Sequence, residues 1–86
     1  KFAVYPAPFS SFLQLEYQDL GFENSRKVHI SLLNSLGMRV YSHSFQEVFE
    51  QGTLSITNLS HLPSGIYWLE VAIEGQPPQL FKCIKQ

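Results

Sequence analysis

Apolar and polar residues alternate along most of this chain, and helical spacing is weak throughout. The clearest alternation runs from Gly65 to Ile73. It places Tyr67, Leu69, Val71 and Ile73 on one face and Ile66, Trp68, Glu70 and Ala72 on the other. Because successive side chains of a strand point to opposite faces, this segment predicts a strand buried on one side.

Seven segments with this character are separated by turn signals: 2–5, 11–17, 27–34, 38–45, 53–57, 66–73 and 80–85. Turn signals every 8–12 residues or so are typical of a β-sandwich. Residues 19–26 are expected to form a loop, 46–52 follow no pattern, and only 45–49 could form one helical turn. The predicted core consists of Leu13, Leu15, Val28, Ile30, Leu32, Val40, Leu54, Ile56, Tyr67, Leu69 and Val71, with Val40 as the surest core residue of its strand.

The turn before the 66–73 strand carries the most specific pattern. Pro63 suits the second position of a turn and Gly65 the fourth, and Tyr67 follows at the start of the strand. A Tyr in this position forms a tyrosine corner, in which the hydroxyl bonds back to upstream backbone. The fold class predicted is therefore all-β, an immunoglobulin-like antiparallel sandwich of about seven strands that fills residues 1–86 as one domain.

Composition narrows the classes of protein. The hydrophobic content of 44% excludes disorder, and the net charge of −1 gives no electrostatic case for binding nucleic acid. Charged residues make up only 15% of the chain, which indicates a module tethered to something larger or a surface that meets a partner. No apolar run approaches the roughly 20 residues that cross a bilayer. The start at Lys1 rather than Met suggests a fragment or a processed product.

Residues suited to chemistry are few and scattered. His29 and His43 are expected at outward positions of adjacent strands, where a chance surface pair is possible, with no second ligand at metal spacing. The single cysteine, Cys83, is expected to be a small core residue. There is no nucleophile elbow and no phosphate loop. We therefore expect no enzyme, no cofactor and no metal site.

Three segments, in order along the chain, carry a resemblance to a known family. They are Val4-Tyr5-Pro6-Ala7-Pro8 near the start, Val28-x-Ile30-x-Leu32-x-Asn34-x-Leu36-Gly37-x-x-Val40 in the middle, and Leu62-Pro63-Ser64-Gly65-Ile66-Tyr67 followed by Lys82-Cys83-Ile84-Lys85 at the end. Together they resemble the type A C-terminal sorting domain of the type IX (Por) secretion system of Bacteroidetes. Ala7 departs from the family's usual Asn.

The resemblance implies a non-catalytic targeting signal. Such a domain ends an exported protein and is recognised by the type IX translocon or its shuttle. A sortase usually removes it, and the cargo is secreted or held at the cell surface after passing the periplasm. The partners implied are these components and the N-terminal cargo domain of the same polypeptide. The recognition residues implied are Tyr5, Pro6, Pro8, Gly37, Gly65, Tyr67, Lys82 and Lys85.

Three further interpretations stay open: a purely structural role of the motif residues, another function, and a dimer. The turn glycines and Tyr67 are residues that any small sandwich needs, and lysines near the end also protect an edge strand from aggregation. The alternative function is an accessory binding or spacer module of a surface protein, of fibronectin type III or carbohydrate-binding kind, using Trp68 and Phe12. An exposed edge of the last strand would also allow a dimer. A sorting domain ends its polypeptide, whereas a spacer is followed by further domains.

Overall fold

The computed structural model describes residues 1–21 and 23–86, except the side chain of Glu47. Phe22, in the expected loop 19–26, lies outside the described residues. The described chain contains seven strands and no helix: β1 (Phe2–Tyr5), β2 (Leu13–Tyr17), β3 (Arg26–Leu33), β4 (Arg39–Val48), β5 (Gly52–Ile56), β6 (Gly65–Ile73) and β7 (Gln79–Lys85). Consequently, nothing in this part of the chain is a helix that could cross a membrane.

The strands form two antiparallel sheets. The first has the order β1-β2-β5 and the second the order β4-β3-β6-β7. Within the second sheet, β6 lies between β3 and β7, with Leu69 paired to Leu32 on one side and to Phe81 on the other. The all-β sandwich predicted from the alternation is confirmed.

The core lies between the sheets and is formed by the inward positions of both. Ten of the eleven predicted core residues are either buried or, for Leu54, half-buried against the core. Val40 is the exception, and its prediction is wrong, because 37% of its surface is exposed. The pairing of β3 with β4 shifts between Leu32–Tyr41 and Leu33–Arg39, so Val40 is the extra residue of a bulge. Tyr41 and Phe45 pack against the core from β4 instead.

The segment after β1 crosses from one sheet to the other. Tyr5 ends β1 in the first sheet, and Phe9 forms an isolated parallel bridge with Lys85 of β7 in the second. Prolines have no backbone N–H and stop regular pairing, which frees the chain to change sheets between these two points. Residues 5–8 therefore lie inside the domain and do not mark a boundary between the domain and a linker.

Candidate recognition surface

Four of the eight motif residues, Gly37, Gly65, Tyr67 and Lys85, lie at one end of the sandwich, which we call the motif end. It consists of Phe9, the β3–β4 turn (34–38), residues 62–67 and the tail (84–86). Antiparallel pairing brings these together, because Leu33 pairs with Trp68 near the start of β6, and Gly65 pairs with Lys85 at the end of β7. Segments far apart in sequence thus form one surface.

The β3–β4 turn is held by one side chain. The Asn34 side-chain oxygen accepts hydrogen bonds from the backbone N–H groups of Leu36 and Met38, at 3.0 and 2.9 Å. The Gly37 N–H donates to the Asn34 carbonyl at 2.9 Å, and Gly37 has a φ of 81°. Such a φ is costly for any residue with a Cβ, so Gly37 has a sufficient backbone reason to be there.

Tyr67 forms the predicted tyrosine corner. Its hydroxyl donates to the Pro63 carbonyl at 2.6 Å, and its ring is buried. The edge of the ring meets Phe9, with the two centroids 6.0 Å apart and an interplanar angle of 69°. Tyr67 therefore ties the turn to β6 and also provides the surface against which Phe9 packs.

Phe9 clamps the tail from its outer side. Its N–H donates to the Ile84 carbonyl at 2.9 Å, and its carbonyl accepts from the Gln86 N–H at 2.8 Å. The ring is fully buried. Sequence reasoning missed Phe9, although a large aromatic placed directly after a proline-interrupted strand was a usable signal. The tail thus lies between β6 and the segment that follows the opening motif.

The two tail lysines have different environments. Lys82 is exposed on the outer face of β7, opposite Trp68, and makes no hydrogen bond or ion pair within the described residues. Only 7% of Lys85 is exposed, and its ammonium group donates to the Gln86 carbonyl at 2.9 Å. Lys82 is available to a partner, whereas Lys85 is enclosed by its own domain.

The opening motif lies partly apart from the motif end. Tyr5 is exposed, and its hydroxyl donates a long hydrogen bond of 3.4 Å to the Glu16 carboxylate on the neighbouring strand. Pro6 is half-buried and Pro8 exposed, both in the crossing segment. In the structure these three residues end β1 and connect it to Phe9, which contacts the tail.

An apolar strip covers the outer face of the second sheet next to the motif end. We define the outer strip as Leu33, Ile66, Trp68, Leu80 and Ile84. The last four are each between 39% and 56% exposed. A cavity of about 260 Å³ lies where the strip meets the β3–β4 turn, and it is lined by Trp68 and Leu80 together with the Asn34–Gly37 turn. Outer faces of antiparallel sheets usually carry polar residues, so this strip is unusual.

The outer edge of β7 is only partly covered. In a strand, the N–H and C=O of one residue point to the same side, and this side alternates along the chain. Since Ile84 and Gln86 point towards Phe9, Lys82 and Leu80 must point the same way. Within the described residues no backbone group bonds to Lys82 or Leu80 from that side. The edge is thus closed at the tail and open over residues 80–82.

The remaining candidate chemistry is dispersed. His29 and His43 were both expected to point outward, but the register puts them on opposite faces, because His29 pairs with Ser44 and His43 with Ile30. His29 is hydrogen-bonded through both ring nitrogens to the hydroxyls of Ser44 and Ser42, at 2.6 and 2.7 Å. In the described part of the chain no three His, Cys, Asp or Glu residues are grouped so that they could hold a metal ion.

Cys83 faces the core, as predicted. It is 6% exposed, and burial raises the pKa of its thiol to about 11. A thiol with such a pKa stays protonated at neutral pH and is a poor nucleophile. Cys83 therefore acts as a packing residue of β7.

Comparisons with known proteins identify the family of the chain. A family model described as "Secretion system C-terminal sorting domain" matches residues 3–86, which is essentially the whole chain. No curated protein and no solved structure matches the chain. The chain belongs to the secretion system C-terminal sorting domain family, and it is a C-terminal sorting signal for type IX secretion that directs export to the cell surface or the medium.

Proposed function

We propose that the secretion machinery reads the folded domain through β7 and the tail, and that the domain carries no chemistry of its own. The observation that carries this proposal is the free backbone of Leu80 and Lys82 beside a tail clamped in one position. A strand edge with unpaired N–H and C=O groups can accept one more strand. The partner in this proposal is the type IX translocon or its shuttle.

The position of the cargo fits this proposal. Phe2 pairs with Tyr17 and Tyr5 with Gln14, so β1 starts at the far end of its sheet and runs towards the motif end. A cargo domain joined ahead of Lys1 would leave the motif end uncovered, whereas the start of β1 lies beside β7, where the rings of Phe2 and Phe81 meet with centroids 5.6 Å apart. In our proposal the sortase cuts on the cargo side of β1, because residues 5–8 lie inside the fold.

Export of a reporter tests the proposal. Residues 1–86 are fused to the C-terminus of a periplasmic reporter in a host that has the type IX system. The fusion should reach the surface or the medium, and the same fusion without Leu80–Gln86 should stay in the periplasm. A complete fusion that stays in the periplasm would contradict the sorting function of this chain.

A second fusion guards against simple loss of folding. Deleting Leu80–Gln86 also removes buried Cys83 and the clamp at Phe9, and protease resistance of the purified fusion reports whether the fold survives. A flexible Gly-Ser extension after Gln86 instead keeps every contact and only crowds the tail. We expect it to lower export. Normal export of both altered fusions would move recognition to another face of the domain.

No observation favours the alternative of a carbohydrate-binding or spacer module. Trp68 lies on the outer face of the second sheet. Phe12 lines a depression with Gln14 and Ser55, which belong to the first sheet. The two aromatic residues suggested for that function are therefore on different sheets and do not form one binding platform.

A further inference from the structure

We propose that the outer strip and the open edge at residues 80–82 form one docking surface for an extended segment of a partner protein, in which a carboxylate faces Lys82 and an apolar side chain faces Leu80. This inference rests on the proposed function, and it names the surface and the chemistry of the partner.

The backbone fixes where such a segment can pair. Phe9 occupies the outer side of β7 at Ile84 and Gln86, so an added strand can bond only to Leu80 and Lys82. Both residues point their N–H and C=O groups outward together. The partner segment is therefore short, and Phe9 sets its limit at one end.

The side chains fix what the segment carries. A residue placed directly opposite another on a neighbouring strand points to the same face. Leu80 and Lys82 point to the outer face, where 56% of Leu80 is exposed. An apolar side chain opposite Leu80 would extend the strip formed with Trp68 and remove apolar surface from water.

The charge on this surface favours an acidic partner. Lys82 makes no ion pair within the described residues. Its nearest carboxylate along the sheet is that of Glu70, a residue of β6 that lies opposite Leu80 on one neighbouring strand and opposite Ser31 on the other. The guanidinium of Arg39 donates to the Ser31 hydroxyl at 3.0 Å on the same face. Two cations thus flank one half-buried carboxylate, and a carboxylate on the partner would complement Lys82.

A second copy of this chain fits less well. Antiparallel pairing of two β7 edges, limited to residues 79–83, would set Lys82 opposite Leu80 of the other copy. The two Lys82 side chains would then be diagonal neighbours, about 7–8 Å apart, with no added carboxylate between them. A foreign acidic strand avoids this repulsion.

Two substitutions test the edge and the charge separately in the reporter fusion. Leu80→Pro removes the outward N–H but no bond to β6, and edge strands accept Pro at such positions. Lys82→Glu reverses the unpaired charge on an exposed side chain. Each should lower export by about tenfold, because strand addition and charge complementarity both contribute to partner binding. Lys27→Glu, an exposed lysine at the other end of the same sheet, is the matched control and should export normally.

Thermal unfolding of the purified fusions reports whether each variant is folded. If Leu80→Pro unfolds the domain, Lys82→Glu alone still tests the docking surface. Normal export of folded Lys82→Glu and Leu80→Pro, with loss of export on deleting Leu80–Gln86, overturns this docking surface and leaves the sorting function standing. Retention of the unsubstituted fusion overturns the sorting function itself. Sedimentation of the unsubstituted chain as a dimer that Leu80→Pro dissociates would assign the edge to a second copy.

Discussion

Replacing Tyr67 by Phe removes the hydroxyl of the tyrosine corner and leaves the ring in place. The hydroxyl donates to the Pro63 carbonyl at 2.6 Å, and a hydrogen bond of this kind contributes a net 0.5–1.5 kcal/mol or so. Pro63 lies in an exposed turn, and we add no further penalty for its carbonyl. We expect a loss of about 1 kcal/mol, which lowers Tm by about 4–8 °C in a domain of this size.

Urea unfolding of the purified chain measures this loss, and an unchanged dependence on urea would show that only stability differs. Tyr5→Phe is the matched control, because its hydroxyl makes only a 3.4 Å bond on an exposed side chain. The control should stay within about 0.5 kcal/mol of the parent chain. A Tyr67→Phe loss as small as that of the control would refute the reasoning, and a loss above about 3 kcal/mol would mean that the ring itself moves.

Three further predictions concern Gly37, Phe9 and Cys83. Gly37→Ala should lower the free energy of unfolding, measured in urea, by about 1–2 kcal/mol, because the φ of Gly37 is 81°, although an added Cβ would touch nothing within 4 Å. A smaller loss for Gly37→Asn would identify backbone strain as the cause. Phe9→Ala should lower the free energy of unfolding by about 3–5 kcal/mol. It should also speed hydrogen exchange of the Gln86 amide more than that of the β6 amides. Equal acceleration of both would argue against a clamp of the tail by Phe9. Burial raises the pKa of the Cys83 thiol from 9.0 to about 11. At pH 8 this thiol should therefore react with a disulfide reagent at roughly one-hundredth of its rate in the urea-unfolded chain, and the reaction should become faster as the pH rises towards 11. Comparable rates in the folded and unfolded chains would contradict the burial of Cys83.

Local alternation was enough to predict the strands, because it depends only on neighbouring residues. The 66–73 strand was predicted within one residue of β6, and the Tyr67 hydroxyl bonds to upstream backbone as expected. β4 instead continues to Val48, beyond the predicted end at Phe45, because Arg26 on β3 pairs with Val48. The misplacement of Val40 has a similar origin, since a bulge depends on the partner strand and leaves no mark in the local pattern.

The recognition surface depends on contacts between distant parts of the chain, and these were harder to predict. Phe9 bonds to the tail through backbone atoms, which carry no sequence signature. Lys82 and Lys85 carry the same side chain, and it is the structure that shows only 7% of Lys85 exposed, next to its pairing partners Gly65 and Phe9. The motif residues themselves were identifiable, whereas their division into accessible and enclosed ones required the structure.

The bond between Phe9 and the tail joins the two ends of the sequence, and this has a consequence for quality control. The parallel bridge between Phe9 and Lys85 needs both segments, so it forms only in a chain that contains the start and the end of the domain and has folded. A truncated or misfolded chain would still contain most of the motif residues but would lack their arrangement in space. Recognition of that arrangement would test completeness and folding in a single step, so that unfinished polypeptides would be left behind before export.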